Sequence, residues 1–255
     1  RRDDATRDAD DVGRALAAYT RVESSTVPLN AAVLDNGFTA FKRAFDPEHG
    51  GFGGAPKFPM PSSLNYLLRY SARTENMEAR TMAVKTLRAM AAGGIHDRIG
   101  GGFHRYATGA AWNAPHHEKM LYDNAQLASV YLEAYRASGD PAFARVARET
   151  LDYLLRDLAR PGGGFYTAED ADEEYYSLTS AEARARRARP RRDDKILAGH
   201  NGLALSALAN GARILSEPRY LAAARETARF LRANLYDEKA GRLDRRWRDG
   251  ERGGP

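Results

Sequence analysis

Three glycine clusters, each closed or interrupted by a phenylalanine, set the architecture of this chain: Gly50-Gly51-Phe52-Gly53-Gly54, Gly100-Gly101-Gly102-Phe103 and Gly162-Gly163-Gly164-Phe165. The phenylalanines stand 51 and 62 residues apart, and a fainter echo, Gly241-Arg242-Leu243, places its leucine 78 residues further on. A recurrence of that length marks a repeated supersecondary unit. Helix fills the period. Leu64, Leu67 and Leu68, then Met82, Lys85, Leu87 and Met90, fall at helical spacing, with Ser62 and Ser63 placed to cap the first of these helices. Leu121, Ala125, Ala128, Leu132 and Tyr135 form the next stripe, which stops at Ser138-Gly139-Asp140-Pro141, where the proline can start a new helix. That helix carries Phe143, Val146, Thr150, Leu151, Leu154 and Leu158 and ends at Arg160-Pro161-Gly162. A last pair, Leu203 to Ile214 and Leu221 to Leu235, is divided at Glu217-Pro218. Helices are also expected over 5–22 and 28–45, making eight or nine.

The unit is therefore helix, short turn, helix, then a Gly-rich loop leading to the next pair. Hairpins that each bury one face on a neighbour give an open solenoid or a closed α/α toroid. Long loops recurring at one end favour the toroid, with the glycine loops gathered over one mouth, where tight turns and close backbone approach to a ligand are possible.

Composition limits the chemistry. The chain has no cysteine, so disulfides, iron–sulfur ligation and thiol catalysis are excluded within its 255 residues. No H-x-x-x-H pair occurs; neither a metal nor a cofactor is expected. The formal charge of +5 is local: Arg184, Arg186, Arg187, Arg189, Arg191 and Arg192 lie within nine residues, and without them the charge is −1. Only alanines and one proline separate these arginines, not the aromatics of a nucleic-acid reader, so nucleic acid is disfavoured as a partner. No apolar run reaches the length of a membrane span, no signal peptide is visible, and the chain is read as cytoplasmic. It begins without Met and stops after Arg252-Gly253-Gly254-Pro255, which reads as a piece of a longer protein.

Polar and aromatic residues crowd the second and third loops. His96, Asp97, His104, Arg105, Tyr106, Trp112, His116 and His117 precede Glu118, Lys119, Tyr122, Asp123 and Asn124. A helix beginning near Pro115 would put Glu118 and Tyr122 on one face. The third loop offers Tyr166, Glu169, Asp170 and Asp172, with His200 and Asn201 beyond. Two carboxylates meeting over an aromatic-lined cavity are what glycosidic-bond chemistry requires, and histidine there suits proton transfer at a sugar carbon. Glu118, Asp123, Glu169 and Asp170 are the candidate acids and bases, with His104 and His116 as candidate proton carriers. Lys57, His96, Asp97, Arg105, Tyr106, Trp112, Tyr122, Asn124, Tyr166, Asp172 and Asn201 are candidate substrate contacts. Each has a structural alternative: the acids of the third loop as helix caps, His96 and His104 as buried bracing for the glycine backbone, Trp112 as core, Lys57 as a buried ion-pair partner.

The motifs Gly50-Gly51-Phe52-Gly53-Gly54-Ala55-Pro56-Lys57-Phe58-Pro59, Gly94-Ile95-His96-Asp97, Gly102-Phe103-His104-Arg105-Tyr106, Glu118-Lys119-Met120-Leu121-Tyr122-Asp123-Asn124, Ala168-Glu169-Asp170-Ala171-Asp172 and Asp194-Lys195-Ile196-Leu197 resemble the DUF255 family, the YyaL-like and spermatogenesis-associated-protein-20-like, thioredoxin-domain-containing proteins. The resemblance runs from about residue 28 to the end. It implies an all-α fold of the (α/α)6-toroid, six-hairpin-glycosidase type, similar to N-acylglucosamine 2-epimerases, here incomplete, and an upstream thioredoxin-like domain in relatives as partner. On this reading 1–255 is one toroid domain: 1–27 a helix and linker from the upstream domain, 28–174 the first hairpins, 175–194 a shortened Arg-rich connection, and 195–255 a further hairpin and cut end. The family pattern carries Phe at His117 and Trp at His200, so neither histidine inherits a family role. The function implied is carbohydrate-active, glycoside-hydrolase-like or sugar-epimerase-like, on a small-molecule or oligosaccharide ligand; the alternative is a non-catalytic binding or scaffold module.

Overall fold

The computed structural model describes residues 2–21, 28 and 30–254. Two compact units divide the chain, Arg1–Gly37 and Phe38–Pro255. The first contains α1 (Arg2–Thr20), exposed over residues 6–20, and the start of α2 (Ala32–Ala44). These are the helices expected over 5–22 and 28–45. Residues 22–27 and 29 of those expectations, and of the 1–27 linker, lie outside the described residues.

The second unit holds three hairpins. They are α3 (Pro61–Thr74) with α4 (Met77–Ala92), α5 (Leu121–Ser138) with α6 (Pro141–Tyr153), and α9 (Ala198–Leu215) with α10 (Pro218–Asn234). Helices α3, α5 and α9 pack side by side as one layer, and α4, α6 and α10 each cover their own partner. Because α5 touches neighbours on several sides, it buries residues around most of its circumference, Leu121, Ala125, Ala128, Val130, Tyr131 and Ala134 among them. Leu151, Leu154, Leu158, Ala204, Leu208 and Tyr220 complete that core. Gly211 permits the close approach of α9, since a Cβ there would lie 2.5 Å from Leu151 Cδ1.

Local sequence sets the boundaries. Gly139 closes α5 at φ 71°, Asp140 caps α6 by accepting from the Ala142 amide, and Pro141 opens it. Asn76 caps α4 in the same way. Ser62 and Ser63 do not cap α3: Pro61 starts that helix after Met60, and both serines lie inside it. Beyond α6 the chain widens into a π turn, Leu154–Leu158, closed by the Ala159 amide on the Leu154 carbonyl. The helix expected from Pro115 begins only at Leu121, because the residues before it are drawn into sheet: β1 (Tyr106–Ala107) pairs β2 (Pro115–His116), and β3 (Lys119–Met120) pairs β4 (Ala168–Glu169). Two single-turn helices, α7 (Glu173–Tyr176) and α8 (Ala181–Ala185), bring the α-helices among the described residues to ten against the eight or nine expected. They fold the connection 175–194, which ends in β5 (Arg192–Asp193) on the far edge of β4.

The glycine clusters recur as one small structure. Each outer helix runs into a turn whose ends pair antiparallel: Phe45 with Phe52, His96 with Phe103, Ala159 with Phe165, and β7 (Tyr236–Asp237) with β8 (Arg242–Leu243), which makes the fourth echo real. Gly101 sits at φ 74°, where a Cβ would also strike the Glu149 carbonyl at 2.6 Å. The segment before each inner helix then pairs with the following loop: Lys57 with Ala107, β3 with β4, and β6 (Ile196–Leu197) with β9 (Arg246–Arg248), itself paired to β10 (Glu251–Gly253). Asn124 and Asn201 lock this arrangement identically. Each accepts from a Phe amide, Phe103 at 2.6 Å and Phe165 at 2.7 Å, and donates to that Phe carbonyl at 3.0 Å. The loops therefore gather at the end where α5 and α9 begin.

Candidate active site

The loop residues separate into a buried nucleus and an open rim. In the nucleus, Lys119, 1% exposed, donates to Asp97 at 2.7 Å and to the Gly101 carbonyl at 2.8 Å. Arg184 reaches the same carboxylate from α8 at 2.9 and 2.6 Å. Glu169, paired across the sheet with Lys119, accepts from the hydroxyls of Tyr153 at 3.1 Å and Tyr176 at 2.9 Å, whose rings flank the Lys119 ammonium. Two buried cations and two buried carboxylates thus face one another with their bonds made. Burial acts to raise the Asp97 pKa, but Lys119 and Arg184 outweigh it and hold the carboxyl well below its usual range. His104 packs edge-on against His117 and Tyr176, and burial, reinforced by Lys119, keeps it well below the ordinary histidine range. Its Nδ1 has no protein partner.

The rim is assembled from β1, β2 and the first turn of α5. Arg105 donates to Glu118 at 2.7 Å, and their backbones also pair. His116 stacks on Tyr106, which also meets the tilted Phe58 ring, and the His116 Nε2 stands 3.8 Å from Glu118. Tyr122, half-buried, lies close enough to Arg105 and Asp123 to feel both charges and packs against the His200 ring. No cation among the described residues forms an ion pair with Asp123. Burial pushes its carboxyl up to about 7; Tyr122 and Arg105 pull it down, and the like charge of Glu118 adds to the rise. The arrangement holds an ion-paired carboxylate, a carboxyl that titrates near neutrality and an imidazole beside a strip of aromatic rings. Such a set can give or take a proton at a bound hydroxyl, ether oxygen or acidic C–H.

Other candidate residues stand elsewhere. Asp170 turns outward toward Arg191, and Asp172 caps α7 by accepting from the Tyr175 amide. Tyr166 lies under Arg192. Lys57 is fully buried against Asp46 and the Gly50 carbonyl, and Trp112 is buried with its Nε1 donating to the His49 carbonyl. His96 stacks on Phe103 and lines a groove between α4 and α6. Asn124 and Asn201 are the loop locks described above. Arg184, Tyr153, Tyr176 and Phe58 join the site without being among the sequence-derived candidates, and His200, which inherits no family role, packs on Tyr122. Phe58 next to the Lys57 motif carried a signal; Tyr153, inside a helical stripe, carried none. Among the described residues no group of three or more His, Asp or Glu side chains is placed to hold a metal ion, and no helix is long and apolar enough to cross a membrane.

No family model matches the chain. It is homologous to the curated spermatogenesis-associated protein 20 of mouse, 47% identical over 151 residues covering 57% of this chain and 19% of the relative. The human protein of the same name is 31% identical over 318 residues, covering 86% of this chain and 40% of the relative. The chain therefore spans well under half the length of these relatives. Among solved structures, cellobiose 2-epimerase from Bacillus thermoamylovorans superposes with a TM-score of 0.71 at 9% identity, covering 88% of this chain and 60% of that one. A family 76 glycoside hydrolase, a mannosidase from Bacteroides thetaiotaomicron, gives 0.64 at 16% identity, covering 84% and 57%. The fold is the α/α-toroid type of these sugar-processing enzymes.

Proposed function

We propose that this homologue of spermatogenesis-associated protein 20 is a carbohydrate-active domain that carries out acid/base chemistry, hydrolase-like or epimerase-like, at the rim formed by Arg105, Tyr106, His116, Glu118, Tyr122 and Asp123. The observation that carries the reading is Asp123: a buried carboxyl at the start of an inner helix, without an ion-pair partner and poised near pH 7. A general acid works best with a pKa close to the operating pH, and in glycosidases one raised carboxyl acts beside a second carboxylate. Glu118, fixed by Arg105, supplies that second group. The Phe58–Tyr106–His116 strip offers flat apolar surface for a sugar ring. In this reading Asp97, Glu169 and His104 position the loops, and Asp170 and Asp172 act outside the chemistry.

A second reading, a non-catalytic glycan-binding or scaffold module, draws on the ion pair that already engages Glu118. A panel of mono- and oligosaccharides separates the two, assayed for binding and turnover on the protein, on Asp123→Asn and on Glu118→Gln. Turnover that falls by about 100-fold or more in Asp123→Asn while binding persists supports acid/base catalysis. Binding without turnover in all three proteins moves the function to the second reading. A protein that binds no sugar overturns the carbohydrate-active reading and leaves the scaffold module.

A further inference from the structure

The arginine run is the sequence feature that the rim does not use. In the fold it closes a cavity of about 330 Å³, bounded by Ile99 and Gly100 of the second glycine turn and by α8, with Tyr175 on its wall. Arg156, Arg184, Arg187 and Arg189 line it against a single acidic side chain, Asp157. That residue is 5% exposed and its carboxylate already taken: Arg156 Nε meets both oxygens at 3.1 and 2.9 Å and Arg189 ion-pairs with it, while Arg192 donates to the backbone carbonyl of Asp157 at 3.0 Å. Asp97 relieves Arg184 only while also serving Lys119. Arg187 pairs outward with the exposed Glu174. Burial and the like charges of Arg156 and Arg192 pull the Arg189 pKa below the ordinary arginine range, the mark of guanidinium groups crowded together. The cavity shares no residue with the rim, so the argument does not rest on the carbohydrate reading.

Guanidinium groups in excess around a small concavity match an oxyanion with several acceptor atoms, which they bind through paired N–H donors. The volume is that of a small-molecule site. We propose that this pocket binds the phosphoryl group of a small molecule, held by Arg156, Arg187 and Arg189, with Tyr175 beside whatever the phosphate carries.

The test is calorimetric titration of the protein with glucose 6-phosphate, inorganic phosphate and glucose at constant ionic strength. Both phosphates are expected to bind and glucose to give no signal dependent on this pocket; tighter binding of glucose 6-phosphate identifies an ester, tighter binding of inorganic phosphate the free ion. The double variant Arg156→Gln/Arg189→Gln should lose at least tenfold in affinity, about 1.4 kcal/mol. Arg219→Gln, whose side chain pairs with Asp152 and Glu217, should lose nothing. Asp157→Asn removes the competing carboxylate and should bind more tightly, a gain that misfolding cannot produce. Absence of phosphate binding, or equal losses in the double variant and Arg219→Gln, overturns the proposal. So does preferential binding of a single-stranded oligonucleotide that survives the double variant, which would assign the arginines to a polyanion instead.

Discussion

The turn at Asp46–Gly51 and the turn at Asp97–Gly102 close with the same bonds. In each, the aspartate amide donates to a glycine carbonyl, a glycine amide returns to the aspartate carbonyl, and a buried lysine bonds the aspartate side chain and a glycine carbonyl. Two differences separate them. Lys57 follows Asp46 by 11 residues, whereas Lys119 follows Asp97 by 22, and the added length is the β1–β2 hairpin that carries Tyr106 and His116 with Arg105 and Glu118 at its base. The second clasp also takes in Arg184 and two tyrosine rings, so its carboxylate is 3% exposed against 17% in the first. One structural staple has been used twice, and the candidate chemistry sits on the insertion made within the second copy.

The largest expected effect tests whether that second clasp is the stiffer foundation. Asp97→Asn leaves Lys119 and Arg184 buried without their carboxylate and should cost about 3–5 kcal/mol in urea unfolding. Asp46→Asn strands only Lys57, which keeps the Gly50 carbonyl and the Trp112 ring, and water can reach the vacated position; about 1–3 kcal/mol is expected. Equal costs would mean that the extra cation and rings add nothing to the clasp.

Proton linkage gives the next effect, and the rim and the clasps carry opposite signs. Burial raises the Asp46 pKa, but Lys57 and the His49 and Glu48 amides bring it down to about 2, so its contribution is present above the unfolded value near 4 and is lost as pH falls through 2. Asp97 behaves likewise at still lower pH. His96, lowered by burial to about 4, removes stability as pH falls from 6.5 toward 4. Asp123 is raised to about 7, so the folded state holds a proton that the unfolded state releases, and stability is lost as pH climbs from about 4 to 7. Asp123→Asn should remove that loss. Relative to wild type it should gain on the order of 2–4 kcal/mol between pH 4 and pH 8, read from paired denaturation curves. A difference that stays flat with pH would deny Asp123 its raised pKa and with it the proposed acid.

Arg184→Met removes the cation that the second clasp has beyond the first and should cost about 1–3 kcal/mol, less than Asp97→Asn because Lys119 still satisfies Asp97. This residue also shows where sequence reading stops. The hairpins, their breaks at Gly139-Asp140-Pro141 and Glu217-Pro218, and the gathering of glycine loops are legible because they depend on apolar spacing and on residues with special backbone freedom. The start of α5 was misplaced by six residues, since the pairing of Lys119-Met120 with a loop some 50 residues away leaves no local trace. Arg184 was counted as one of six arginines with one character, yet a salt bridge spanning 87 residues takes it out of solvent while its neighbours in the run stay exposed. Glu118 and Glu169 read alike as loop acids; only the fold surrounds one with tyrosine hydroxyls and leaves the other at the rim.

The smallest expected effect on stability makes the sharpest test of the division between foundation and rim. Glu118→Gln breaks a pair in which Arg105 is 40% exposed and Glu118 22% exposed, where solvent screens the interaction and water replaces the lost acceptor. Unfolding should therefore shift by less than about 1 kcal/mol. A group retained for folding would not be so cheap to remove, and a group retained for chemistry should show its loss elsewhere, in sugar binding or turnover at unchanged stability. If Glu118→Gln instead destabilises the protein as much as Asp46→Asn, Glu118 is a third staple, and the inserted hairpin extends the clasp rather than carrying a site.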